Sequence, residues 1–86
     1  MSEVIKRCED RGNGHIVRIG DEYFYVDSCY SYDRGFETMV FACEKNGGDF
    51  EVTSWSELYE EYYNSSDKMR SRHNEIINNL EKYIEE

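Results

Sequence analysis

Proline is absent from this chain, so no strand is forced to a sheet edge by a missing backbone donor. Cysteine is scarce: Cys8, Cys29 and Cys43 are an odd set that cannot close into disulfides, and no C-x-x-C pair occurs. A zinc site would have to be assembled from scattered Cys8, His15, Cys29, Cys43 and His73, without the close ligand pairs that structural zinc sites use. The expectation is three reduced cysteines, no metal and no cofactor, with Cys29 and Cys43 acting as small apolar strand residues. No run of about 18 apolar residues exists, so no membrane-spanning helix is expected. Residues 1–10 lack an apolar signal core, so no secretory leader is expected and the chain reads as intracellular. Bases are also few, 10 against 19 acids, for a net charge of −9. A phosphate backbone would repel such a chain, so direct binding to nucleic acid is not expected.

What is present is a short, aromatic-rich sequence. Eighty-six residues suit a single domain. Apolar residues make up only 38%, yet 15% of the chain is aromatic, which sets it apart from a disordered acidic tail. The charge is concentrated. Residues 1–20 carry a net +1 and residues 65–86 a net −1. Residues 21–64 hold Asp21, Glu22, Asp27, Asp33, Glu37, Glu44, Asp49, Glu51, Glu57, Glu60 and Glu61 against only Arg34 and Lys45, a net −9. A one-signed field of this density has two readings: solubility, or a surface that meets a basic partner.

The first half reads as an antiparallel sheet. Residues 15–19 (HIVRI) and 22–30 (EYFYVDSCY) are β-rich runs separated by Gly20-Asp21, a tight-hairpin signal. That turn pairs Ile19 with Glu22 and Val17 with Phe24. Phe24, Val26, Val17 and Ile19 then share one face, and Tyr23, Tyr25 and Ile16 the other. With apolar groups on both faces, the sheet is either covered on both sides or exposes its tyrosines. A third strand follows at 36–44, with the Phe41 set the more buried and Glu37 at its rim. Asn46-Gly47-Gly48-Asp49 turns the chain into a short strand at 50–53. Gly12-Asn13-Gly14 reads as a turn.

The second half ends in a helix. Ser65 or Ser66 caps its start and Asp67 suits its first turn. Met69, His73, Ile76, Leu80 and Tyr83 or Ile84 form one apolar stripe on a helix near 20 residues long. His73 lies on that stripe and is expected half-buried with a hydrogen bond. Residues 54–64 fit both an amphipathic helix capped by Ser54 or Ser56 and a strand. The predicted architecture is therefore α+β: an antiparallel sheet of three to five strands against one C-terminal amphipathic helix. It forms a single domain, with residues 1–14 a flexible segment, 15–63 the sheet and 66–85 the helix.

No catalytic arrangement stands out. The serines lack a nucleophile-elbow frame, neither histidine has triad spacing, and Gly12-Asn13-Gly14 lacks the Lys-Ser/Thr of a phosphate loop. Paired acids such as Glu60-Glu61 read as solvated charge, and no calcium-loop pattern occurs. The chain is expected not to be an enzyme.

The string Phe36-Glu37-Thr38-Met39-Val40-Phe41, the W-x-E-L at Trp55 to Leu58, the tyrosines after it and a helix carrying His73 resemble a known pattern. It is that of small uncharacterised proteins encoded by bacteriophages and other mobile elements of Gram-positive bacteria. The resemblance covers roughly residues 25–77, and it implies a strand after W-x-E-L, so the expectation for 57–63 leans to a strand. The family's alanine-glycine approach to the histidine is replaced here by Met69-Arg70-Ser71-Arg72. In size and charge the chain is similar to anti-CRISPR proteins. This implies a cytoplasmic inhibitor in a bacterial host, acting on a basic partner such as a CRISPR-Cas effector through a DNA-mimicking surface. The contact residues would be Asp21, Glu22, Asp27, Asp33, Glu37, Glu44, Asp49, Glu51, Glu57, Glu60 and Glu61, with Trp55 as an apolar anchor. About half of the acids should drop out, because strands alternate faces. The alternative is a non-enzymatic homo-oligomeric structural or regulatory phage protein, a homodimer at its simplest. A third reading is a small-ligand binder for a signalling nucleotide. An anion would have to bind near Lys6, Arg7, Arg11 and Arg18, or near Lys68, Arg70 and Arg72.

Overall fold

Val17, Phe24, Val26 and Val40 share one parity of their strands, and in the computed structural model all four point to one side of an antiparallel sheet, where they are buried. Residues 2–8 and 13–84 are described. The strands are β1 (Ser2–Cys8), β2 (Asn13–Ile19), β3 (Glu22–Ser31), β4 (Gly35–Asn46), β5 (Asp49–Val52) and β6 (Tyr59–Tyr63). They run β1-β2-β3-β4-β5, and β6 pairs with β4 as well. Strand β4 is long enough to serve two short partners on one edge. Its Cys43–Asn46 end pairs with β5 and its Phe36–Val40 end with β6. The segment between β5 and β6 loops out, held at its ends by Thr53 N donating to Ala42 O and Leu58 N to Val40 O.

The β2–β3 register follows the hairpin expected from Gly20-Asp21: Ile19 faces Glu22 and Val17 faces Phe24. Gly20 has φ 60° and Gly47 φ 67°, the left-handed conformation a two-residue hairpin turn needs and a side chain resists.

The helix α1 (Ser66–Asn78) lies across the Val17–Val40 face. The N-cap Ser65 accepts a hydrogen bond from Lys68 N at 3.1 Å. Ile76, Ile77, Leu80 and Ile84 join Val17, Phe24, Val26 and Val40 in one buried cluster, with Ile19, Tyr59 and Tyr83 at its margin. Strands β1 and β6, far apart in strand order, both touch α1. The sheet therefore curls round the helix, as strongly twisted antiparallel sheets do.

Four expectations need correction. Residues 1–14 read as a flexible segment, yet Ser2–Cys8 form a strand that pairs along β2 from Ser2 opposite Ile19 to Cys8 opposite Gly14. Its alternation is hidden by a register shift between Val4 and Lys6, which turns successive side chains out of step. Asn13 and Gly14, read as part of a turn, open β2 instead; Gly12 lies outside the described residues.

The helix is also shorter than the near-20 residues its stripe suggests. α1 ends at Asn78, and a 3-10 turn, Leu80–Lys82, follows. The cause is local. Asn78 and Asn79 turn their side-chain amides onto the carbonyls of Asn74 and Glu75, at 2.8 and 3.1 Å, and Asn79 leaves helical geometry with φ −139°. Glu85, the last residue of the expected helix, lies outside the described residues.

On β4 the Val40 set, not the Phe41 set, is the more deeply buried: Thr38 and Val40 are fully covered by the helix layer. The Phe41 face is covered only in part, by the β5–β6 loop, whose Trp55 meets Phe41 edge-on with ring centroids 5.0 Å apart.

Candidate functional site

Three features compete for the site: the acidic surface, a buried polar chain under the helix, and a cavity on the opposite face.

The eleven acids of residues 21–64 do not form one surface. Asp21 and Glu22 sit at the β2–β3 turn, and Glu44, Asp49 and Glu51 on the β4–β5 hairpin at the same end of the sheet. All five are exposed. Asp21, Glu22 and Glu44 line one shallow depression, in which Lys45 is the cation. Glu44 lies directly opposite Glu51 on the paired strands, an arrangement that costs stability. Glu57 is exposed in the loop that carries Trp55 (63% exposed), and Leu58 follows (48% exposed).

Asp33 occupies the β3–β4 turn at the other end, where Arg34 faces Tyr62, Glu37 and Asp33. Glu60 accepts a hydrogen bond from Tyr62 Oη at 3.0 Å. Glu37 is buried at 8% exposure, and Asp27 is half-buried in the cavity on the Phe41 face, so neither offers its carboxylate to a large partner.

Glu61 is structural. It points under the sheet to α1, where Arg72 donates to both of its oxygens at 2.8 and 2.9 Å and Tyr59 Oη donates at 2.6 Å. Arg72 also lies over the Tyr83 ring, 5.5 Å from its centroid. The guanidinium beside it holds the Glu61 carboxyl down at about 2, while burial pushes the Tyr59 phenol up to about 12. Arg72→Met is expected to cost about 1–2 kcal/mol, because the pair is bidentate and only partly exposed. It should also reduce the loss of stability expected of wild type as pH falls from 4.5 to 2, since Glu61 stays ionised in the fold below its unfolded value and Arg72 is the main cause. Urea unfolding of both proteins across that pH range checks this.

The buried chain went unrecognised in the sequence. Thr38 Oγ1 and Ser28 Oγ lie 2.5 Å apart, Ser28 Oγ is 2.5 Å from His73 Nδ1, and His73 Nε2 is 2.8 Å from His15 Nδ1. His73 is fully buried rather than half-buried, and both of its ring nitrogens are engaged. Burial lowers its pKa to about 4, with the neighbouring His15 as a second cause. His15 is lowered by burial first and by the charge of Arg7 second. The signal was available: Ser28 and Thr38 face each other in register, and with His15 they interrupt the apolar face that Val17, Val26 and Val40 define. Ser28 and His73 have the separation of a nucleophile and its base. The Ser28 hydroxyl, however, is 1% exposed and also held by Thr38, so the chain is read as a polar core that fixes α1 on the sheet.

On the opposite face Ile16, Tyr25, Cys43, Phe50, Val52 and Trp55 wall a cavity of about 320 Å³, with Asp27 and Cys8 on its lining. Gly14 belongs here by close approach: a Cβ on it would lie 2.9 Å from Tyr25 Oη. Cys8, Cys29 and Cys43 take part in no disulfide among the described residues and are half-buried. Among the described residues no group of three His, Cys, Asp or Glu side chains is placed to hold a metal ion, and no helix is long and apolar enough to cross a membrane.

The chain matches no family model, no curated protein and no solved structure. The functional reading therefore rests on the residues above.

Proposed function

We propose that this protein works by binding another protein, and that the acidic end of its sheet engages a basic groove that otherwise holds nucleic acid. The observation that carries this reading is the gathering of Asp21, Glu22, Glu44, Asp49 and Glu51 at one end of the sheet, with Glu44 opposite Glu51. A surface needed only for solubility gains nothing from placing two carboxylates across from each other. Five carboxylates along two adjacent hairpins instead repeat negative charge as a phosphate backbone does, and would attract a Lys/Arg-lined groove. Trp55 and Leu58, exposed on the adjoining loop, supply apolar area of the kind that anchors interfaces.

The partner class that fits best is a CRISPR-Cas nuclease, met in the cytoplasm of a bacterial host by a phage-encoded, non-enzymatic inhibitor. Asp33 and Glu60, at the far end, are not part of this contact, and Asp27, Glu37 and Glu61 are held inside.

The test is nuclease inhibition with purified components. A molar excess of the protein should abolish DNA cleavage and DNA binding by the susceptible Cas effector, and added DNA should compete. Reversing Glu44 and Glu51 to lysine should weaken the complex roughly 10- to 100-fold, mostly through slower association and with reduced salt dependence. Normal cleavage across a panel of Cas effectors at molar excess would overturn the nuclease target. Light scattering addresses the alternative. A tight dimer that buries the acidic end would replace this reading with that of a homo-oligomeric phage protein.

A further inference from the structure

We propose that the cavity on the Phe41 face binds a small quaternary ammonium compound, its trimethylammonium head enclosed by Tyr25, Phe50 and Trp55 beside Asp27. The cavity measures about 320 Å³, at the small end of the range for small-ligand sites. Tyr25, Phe50 and Trp55 give it aromatic walls, and Asp27 adds a carboxylate. Ring faces attract a cation through their quadrupoles, most strongly where water is excluded. A carboxylate set among rings therefore selects a ligand that is positively charged and has an apolar surface, which is the chemistry of a methylated ammonium group.

Strand pairing builds these walls. Tyr25 stands opposite Ile16 on β2 and Phe41 on β4, and Cys43 opposite Val52 on β5, so these side chains share the face turned away from α1. Phe41 lies between Tyr25 and Trp55, with ring centroids 6.4 and 5.0 Å away, and Phe50 packs on Tyr23 at 5.1 Å. These contacts hold the rings in position before a ligand arrives, which lowers the cost of binding. Gly14 faces Asp27 in register, and its missing side chain admits the Tyr25 phenol. Trp55 is 63% exposed on the β5–β6 loop, where it flanks the cavity. An indole is the strongest of the cation-binding rings.

Tyr25 and Asp27 have other partners as well, and the ligand needs neither of them unpaired. A trimethylammonium group carries no N–H, so it is held by ring faces and by charge rather than by hydrogen bonds. Asp27 is half-buried, out of reach of a large partner but within reach of a ligand that enters the cavity. The net charge of −9 draws cations to the whole molecule and so favours their capture here. The site does not depend on the acidic end, and its binding is measured without a nuclease.

Trp55 is the one tryptophan of the chain, so its fluorescence reports on the cavity directly. Titration of the full chain with choline, followed by Trp55 emission and by calorimetry, tests the proposal. Choline should bind in the sub-millimolar range and change the emission. Its neutral isostere, with a tert-butyl group in place of the trimethylammonium, should bind about tenfold more weakly. Sodium chloride at the same concentration should leave the emission unchanged. By calorimetry, Trp55→Leu and Asp27→Asn should each weaken choline binding about tenfold. Trp55 is exposed on a loop, so the melting temperature of Trp55→Leu should stay near wild type and its result stands even where Asp27→Asn loses stability. Equal affinity for the isostere, an equal emission change with sodium chloride, full affinity in either variant, or no binding at millimolar choline would each overturn the site.

Discussion

Stability is expected to fall by about 3 kcal/mol as the pH is lowered from 6.5 to 4, with His73 carrying most of the fall. The ring is fully buried between Ser28 and His15, and burial holds its pKa at about 4 against 6.5 in an unfolded chain. Between those two values the unfolded chain binds a proton that the fold refuses, so stability rises with pH through the window. Above 6.5 neither state is protonated and the effect is absent; below 4 it is complete. His15, also lowered, adds in the same direction.

The exposed carboxylates, unlike Glu61, act oppositely at the lower end. Their protonation relieves repulsion among 19 acids, so the histidine effect is cleanest between pH 6.5 and about 5. His73→Gln keeps an amide to meet Ser28 but cannot titrate. Its urea midpoint should be lower than wild type at pH 7 and should decline less than wild type from 6.5 to 5, where His15 alone still titrates. An equal decline in the variant would show that the buried chain is not the titrating element.

Much of the fold was legible because it obeys short-range rules. Gly20-Asp21 sets the β2–β3 register, and that register puts Val17, Phe24 and Val26 on one face without further information. The stripe through His73, Ile76 and Leu80 identifies the helix, and Ser65 its start. β1 was missed because its register shift breaks the period-2 pattern, and because its charged residues, Glu3, Lys6 and Arg7, point to solvent at an edge. The early end of α1 was missed because apolar spacing continues through Leu80 and Ile84 while two asparagines end the hydrogen-bond ladder.

The acidic residues were visible as a count, but only pairing shows which belong together. Glu44 and Glu51 become neighbours across β4 and β5, Glu60 and Glu61 part to opposite faces, and Glu61 is captured by Arg72.

Ile76→Ala and Glu44→Lys should separate scaffold from surface. Ile76 is fully buried at the centre of the only helix layer among the described residues, against Val17, Val26 and Val40. Truncating it leaves a cavity that the curled sheet cannot close without moving α1, a cost of about 3–4 kcal/mol. For a domain of this size that is a large share of the total stability, so the urea midpoint should drop sharply. The acidic end lies on the two hairpins and makes no use of Ile76, so each folded molecule should inhibit as well as wild type.

Glu44→Lys should do the reverse. It replaces a like-charge pair with an opposite-charge pair against Glu51, and so leaves stability unchanged or raises it by up to about 1 kcal/mol. The same change puts a positive charge in the middle of the surface proposed to meet a basic groove, and on that proposal inhibition should weaken. If inhibition instead tracks the folded fraction in both variants, the contact lies elsewhere on the molecule. A loss of inhibition in a Glu44→Lys protein that is as stable as wild type identifies the acidic end as the surface that binds.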